Sequence, residues 1–168
     1  LLGYDPAKYH TGRAPLEAAA QKISLSPTDW VFRCNLVTVI DGIMKDHSAG
    51  GISDADAAQM IKDLSRAVQM PGYEFRTGVS YRNLMIYRGD STFNVATRPP
   101  HEILDEPIAN HLPTGPGSNL LKSIMTQSQR MFDVYEINKA RARKGANPAT
   151  QVWLWGQGHP PAMPKFAE

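Results

Sequence analysis

Lys45-Asp46-His47-Ser48-Ala49-Gly50 is the densest run of reactive side chains in this 168-residue sequence. It sets a cation, a carboxylate, an imidazole and a hydroxyl side by side, shortly before Ser53, where a helical pattern begins. The first amides of a helix point outward and suit an anion. The same residues also make a polar loop with Ser53 as a simple cap. Arg33 stands between apolar strand neighbours, and Arg82 in Tyr81-Arg82-Asn83-Leu84 carries the same ambiguity. Such an arginine either snorkels at a sheet edge or is aimed at an anion. His101 follows Pro99-Pro100, which hold it rigidly. A lone histidine is more often a hydrogen-bonded structural residue than a catalyst. The histidines His10, His47, His101, His111 and His159 show no His-x-x-x-His spacing. With Cys34 as the only cysteine, neither an intrachain disulfide nor a Cys-pair zinc site can form. No metal site is expected in this segment. Gly50-Gly51 and Gly156-Gln157-Gly158 admit a phosphate, and plain turns explain them as well.

These residues need a scaffold, and hydrophobic periodicity supplies one. Alternation over Trp30–Ile40 predicts a strand. Phe32, Cys34, Leu36 and Ile40 fall on one face, and Arg33, Asn35, Val37 and Val39 on the other. Asp41-Gly42 is a type I′ hairpin dipeptide, with Ile43-Met44-Lys45 as the return strand. Residues 1–15 are turn-rich and lead to a short helix at Leu16–Ala20, with Pro15 in its first turn. Ser53 caps a helix bearing Ala57, Met60, Ile61, Leu64 and Val68, which Pro71-Gly72 stops. Strands are predicted at Tyr73–Thr77, Tyr81–Arg88 and Thr92–Thr97, the last two joined at Gly89-Asp90. Residues 99–117 hold five prolines and two glycines and predict a long ordered loop. The longest helix is predicted from Asn119 to Lys144, capped by Ser118. Val152–Trp155 is a last strand. Tight turns between consecutive strands favour antiparallel pairing. The expected fold is α+β, a mostly antiparallel sheet with helices packed on one face.

Composition narrows the class of function. Apolar residues make up 42% and charged residues 20%, which excludes a disordered chain. Lys plus Arg is 18 against 16 Asp plus Glu, too even a balance for a nucleic-acid binder. No apolar run approaches the roughly 18–20 residues of a membrane helix. No signal peptide opens the chain, so a cytoplasmic setting is expected. The sequence starts Leu1-Leu2-Gly3, without methionine, and is read as a segment of a longer protein.

Several strings together carry a resemblance. They are Leu2-Gly3-Tyr4-Asp5-Pro6, Gly12-Arg13-Ala14-Pro15-Leu16-Glu17-Ala18, and Phe32-Arg33-Cys34-Asn35-Leu36-Val37-Thr38. Asp46-His47-Ser48-Ala49-Gly50 with Ile52-Ser53 follows, then Gly78-Val79-Ser80-Tyr81-Arg82, Pro100-His101 and Trp153-Leu154-Trp155-Gly156-Gln157-Gly158. In this order they resemble the archaeal-type, 2,3-bisphosphoglycerate-independent phosphoglycerate mutases of the alkaline phosphatase superfamily. Ala14 departs from the Gly-Arg-Gly-Pro pattern of that family.

The resemblance implies a cap domain inserted in a two-metal, phosphatase-like catalytic domain. Residues 1–15 would be a flank from that domain, 16–150 the substrate-gripping cap, and 151–168 the return flank. The activity implied is interconversion of 2- and 3-phosphoglycerate through a phosphoserine. Two divalent ions (Mn, Mg or Zn) would be bound outside this segment, and no 2,3-bisphosphoglycerate would be required. The implied partners are a small phosphorylated three-carbon acid and the missing metal-binding domain, with no nucleic acid or membrane. Arg33 and Arg82 fit a clamp on carboxylate and phosphate, with Lys45, Ser48 and Arg13 as further binding candidates. Asp46 and His101 fit proton transfer at a glycerate hydroxyl. Asn138, Arg141 and Asn147 also match family positions and are read as structural. A related phosphotransferase on another metabolite, homoserine kinase-like, remains an alternative. So does a non-catalytic binding domain when the segment is isolated.

Overall fold

The strand β1, Trp30–Ile40, is the centre of the sheet. In the computed structural model, which describes residues 12–68, 70–89 and 92–160, β1 pairs antiparallel with three partners. These are β4 (Arg82–Tyr87) along residues 30–35, β5 (Gln151–Gly158) along 31–37 and β2 (Ile43–Asp46) along 38–40. β3 (Tyr73–Arg76) extends the sheet beyond β4. β1 is rich in β-branched and aromatic residues and is buried on both sides, as a central strand requires. The β1–β2 turn has Asp41 at φ 50° and Gly42 at φ 74°, the left-handed pair that a type I′ hairpin needs.

Two long helices, α2 (Asp54–Ala67) and α3 (Ser118–Asp133), cover one face of the sheet. Met60, Ile61 and Leu64 of α2 and Leu121, Ile124 and Phe132 of α3 form one core with Phe32, Cys34, Leu36 and Met85. The short α1 (Arg13–Ala20) sits on the opposite face, where Ala14 and Ala18 pack on Val31, Leu84 and Ile86. Ala14 is fully buried there, so its methyl group is part of the packing. The sheet is antiparallel throughout and the α+β expectation stands.

The structure departs from the expected elements in several places. Thr92–Thr97 is not a strand; its only ladder contact among the described residues is a bridge from Ala96 to Thr114. The predicted loop at 99–117 contains two short 3₁₀ turns, Pro100–Glu102 and Ile108–His111. Gly117, in the left-handed region at φ 90°, precedes α3 in place of a Ser118 cap. β5 is longer than expected. Its residues 151–158, assigned by the expected boundary to a return flank, are hydrogen-bonded into the sheet centre. The predicted turn-rich stretch at 1–11 and Asp90 lie outside the described residues.

The long helix predicted over 119–144 is broken at Val134-Tyr135, and α4 (Glu136–Arg143) follows. In a continuous helix the Phe132 carbonyl would receive the amide of Glu136. Here it receives the Asn138 side chain instead, at 2.8 Å. Asn138 also donates to Ala149 O and accepts from Ala149 N, which ties α4 to the segment before β5. The Tyr135 hydroxyl donates to Asp63 on α2. These bonds fix the bend, and local helix propensity yields to them.

A second tie point follows β2. The Asp46 carboxylate accepts from Ser48 N and Oγ, from Gly50 N and from Asn147 Nδ2. Arg141 donates to the carbonyls of Ala49 and Asn147 and closes the same loop from α4. Burial alone would raise the Asp46 pKa, but the hydrogen bonds from Ser48, Asn147 and Gly50 outweigh it and hold it at about 2.

Two outcomes follow. Asn138→Ala leaves a carbonyl and an amide without partners in a buried place, so it should lower stability by about 2–4 kcal/mol in urea unfolding. Asp46 titrates near 2 in the folded chain against an ordinary 3.8. Its charged form therefore stabilises the fold above pH 3.8, and that contribution disappears as the pH falls toward 2. Thermal melts of Asp46→Asn should show a deficit at neutral pH that shrinks over this interval. A deficit independent of pH would refute it.

Candidate functional site

The register of the sheet gathers polar residues on the face that carries α1. Arg33 lies opposite Trp155 on one side and Leu84 on the other, and Asn35 opposite Trp153 and Arg82. Directly opposed residues of antiparallel strands share a face. Arg33, Asn35, Arg82 and Trp155 therefore project together. Loops add three rings. His101, in the 3₁₀ turn fixed by Pro99-Pro100, meets Trp155 edge-on at 5.6 Å. His47 lies 6.1 Å from His101 and 5.8 Å from Tyr81. The Arg33 guanidinium stacks 4.6 Å above Trp155, and that of Arg82 lies 5.2 Å from Tyr81. A continuous path of contacts thus joins Arg33 to Arg82.

Helix α1 completes the site. Gly12, at φ +130°, approaches β5 so closely that a Cβ would collide with the Gln157 carbonyl. This contact lays the start of α1 against β5 and brings Arg13 beside Arg33. A Cβ on Gly156 would stand 3.9 Å from Arg13 Cβ and 3.6 Å from Arg33 Cδ. One turn later Glu17 pairs with Arg33 Nη2. Burial lowers the Arg33 pKa, and the positive charges of Arg13 and Arg82 lower it further. A guanidinium nevertheless stays charged. Three arginines against one carboxylate leave this face positive. An open groove of about 410 Å³ runs along it, lined by Arg13, Thr97, Pro99, Trp155, Gly156 and Gln157.

The predicted site residues divide into two groups. Arg13, Arg33, Arg82 and His101 come together on this face. Asp46 and Ser48 belong to the loop after β2, where both are engaged in turn bonds. The Asp46 carboxylate accepts hydrogen bonds from Ser48, Gly50 and Asn147, which hold its pKa down at about 2, and it lies in this loop apart from the arginines of the sheet face. Lys45 pairs with Asp105 at 2.8 Å, away from the arginines. Asn138, Arg141 and Asn147 are structural, as expected.

His47, Asn35, Glu17 and Trp155 were missed as site residues. Strand periodicity did place Asn35 on the Arg33 face. Nothing in the sequence separates Trp155 from a core tryptophan. Among the described residues no three His, Cys, Asp or Glu side chains cluster as a metal ion would need. Nor is any helix long and apolar enough to cross a membrane.

The chain is 43% identical over its whole length to a 2,3-bisphosphoglycerate-independent phosphoglycerate mutase of Methanothrix thermoacetophila, covering 42% of that protein. It is 37% identical to a probable enzyme of the same name from Geobacter sulfurreducens, covering 43% of it. The chain thus spans under half the length of these relatives. A solved cofactor-independent phosphoglycerate mutase from Thermoplasma acidophilum matches 98% of the chain and 46% of its own, with a TM-score of 0.75 and 25% identity. The profile of the 2,3-bisphosphoglycerate-independent phosphoglycerate mutases matches residues 1–138, and the chain belongs to that family.

Proposed function

We propose that this segment is the substrate-gripping part of a phosphoglycerate mutase that interconverts 2- and 3-phosphoglycerate through a phosphoserine, without 2,3-bisphosphoglycerate. The observation that carries this reading is the gathering of three arginines on one face of the sheet: strand register sets Arg33 and Arg82 on the same side, and Arg13 and Arg33 both approach Gly156. Phosphoglycerate carries a carboxylate and a phosphate, and planar guanidinium groups bind both in bidentate fashion. Family membership and the names of the relatives supply the reaction.

The phosphoryl group leaves one hydroxyl and returns to the other, so the glycerate must be held while it reorients. Arg33 and Arg82 hold its carboxylate, with Arg13 at the groove. His101 handles the proton of the accepting hydroxyl, with His47 beside it. Closing this face against the rest of the enzyme excludes water, which would otherwise capture the phosphoryl group. For the two divalent ions implied by the resemblance, no group of three His, Cys, Asp or Glu side chains is present among the described residues.

In the enzyme that carries this segment, Arg33→Ala and Arg82→Ala should each lower kcat/KM by about 10- to 150-fold, the worth of a charge-assisted hydrogen bond. Arg82 is exposed, so its loss should leave the melting temperature unchanged. Wild-type kinetics in either variant would remove that arginine from the clamp.

A further inference from the structure

Among the described residues, four buried side-chain polar atoms lack a hydrogen-bond partner: Arg33 Nε, Asn35 Oδ1, Trp155 Nε1 and the Tyr73 hydroxyl. Three of them share the face just described. Asn35 is 4% exposed and Trp155 3%. Buried polar groups are nearly always paired in folded proteins, so three orphans on one face leave hydrogen-bonding capacity for water or a ligand to meet. Trp153 sharpens the contrast. It lies on the same face, two residues before Trp155, and gives its Nε1 to the Arg98 carbonyl at 2.8 Å.

The three atoms differ in kind. Arg33 Nε and Trp155 Nε1 donate, as an anion requires. Asn35 Oδ1 accepts, and a bare anion cannot satisfy it. An acceptor set beside arginines calls for an O–H on the anion itself. Glu17 bears on the same point. It pairs with Arg33 Nη2, which shares the side-on edge of the guanidinium with Nε, and leaves Nε empty. A ligand carboxylate that displaces Glu17 can take both nitrogens of that edge.

We propose that Asn35 and Trp155 both contact the substrate and that Asn35 is the specificity-determining one. Asn35 Oδ1 accepts the hydroxyl proton of a phosphorylated hydroxy acid, and Trp155 Nε1 donates to its carboxylate beside Arg33 Nε. Glu17 holds the place of that carboxylate until the ligand arrives. The proposal rests on the phosphoglycerate reading above and adds one carboxylate contact, Trp155, and one residue, Asn35, that tells a hydroxy acid from a plain one.

The test compares two ligands by calorimetry on the full-length enzyme that carries this segment. One is 3-phosphoglycerate. The other is 2-phosphoglycolate, which has the carboxylate and phosphate but no free hydroxyl. Asn35→Leu should weaken 3-phosphoglycerate by about 10- to 100-fold and leave 2-phosphoglycolate within about 2-fold, because only the first offers the lost hydrogen bond. Trp155→Phe keeps a ring beneath Arg33 and should weaken both ligands by about 10-fold, the value of one hydrogen bond to a charged group. Equal loss for both ligands in Asn35→Leu, or no loss for either, would overturn the proposal. If Asn35→Leu does not fold, Asn35→Ala is read by the same criterion, and wild-type affinity of Trp155→Phe for both ligands removes Trp155 from the site. A wild-type enzyme that binds neither ligand refutes the phosphoglycerate reading, and this proposal falls with it.

Discussion

Burial of β1 on both faces is the constraint from which the rest follows. A strand that pairs with β2, β4 and β5 has little room for polar side chains. It nevertheless carries Arg33, whose side chain is 16% exposed, and Asn35, a residue 4% exposed as a whole. A buried guanidinium is tolerated only where charge and hydrogen bonds meet it. In this structure Glu17 and the Trp155 ring meet part of the demand. The unmet part is the site.

The same constraint explains α1. Its two small buried residues, Ala14 and Ala18, let it lie close over Val31, Leu84 and Ile86 at one end of the face. The contact of Gly12 with Gln157 fixes the start of α1, and the helical spacing of Arg13 and Glu17 sets a cation and an anion on the side toward Arg33. One short helix thus supplies a core contact, a further charge for the cluster and a carboxylate on Arg33.

Much of this was legible in the sequence because periodicity and turn chemistry are local. The bounds of β1, the Asp41-Gly42 turn and the Ser53 cap, which accepts from Asp56 N at 3.1 Å, are all set by neighbours in the chain. What was not legible depends on distant partners. The break after Asp133 is made by Asn138 reaching Ala149 and by Tyr135 reaching Asp63. Asp46 looked like a catalytic carboxylate because a string of letters does not show that Ser48, Gly50 and Asn147 occupy its oxygens. Trp155 was read only as part of the last strand, because the stacking of Arg33 on its ring depends on strand register.

Asp46 and Arg33 show how hydrogen-bond accounting separates a structural polar residue from a functional one. Each is partly withdrawn from water and each has its pKa lowered. For Asp46 the lowering comes from hydrogen bonds to its charged form, so the loop already provides what the charge requires. For Arg33 it comes from burial and from like charges, which make the charged form costly. A group stabilised in its charged state by its own loop has nothing left to offer a ligand. A group kept charged among like charges gains most when an anion arrives. The sheet places the second kind of residue at the groove and leaves the first kind to shape the loop that presents His47.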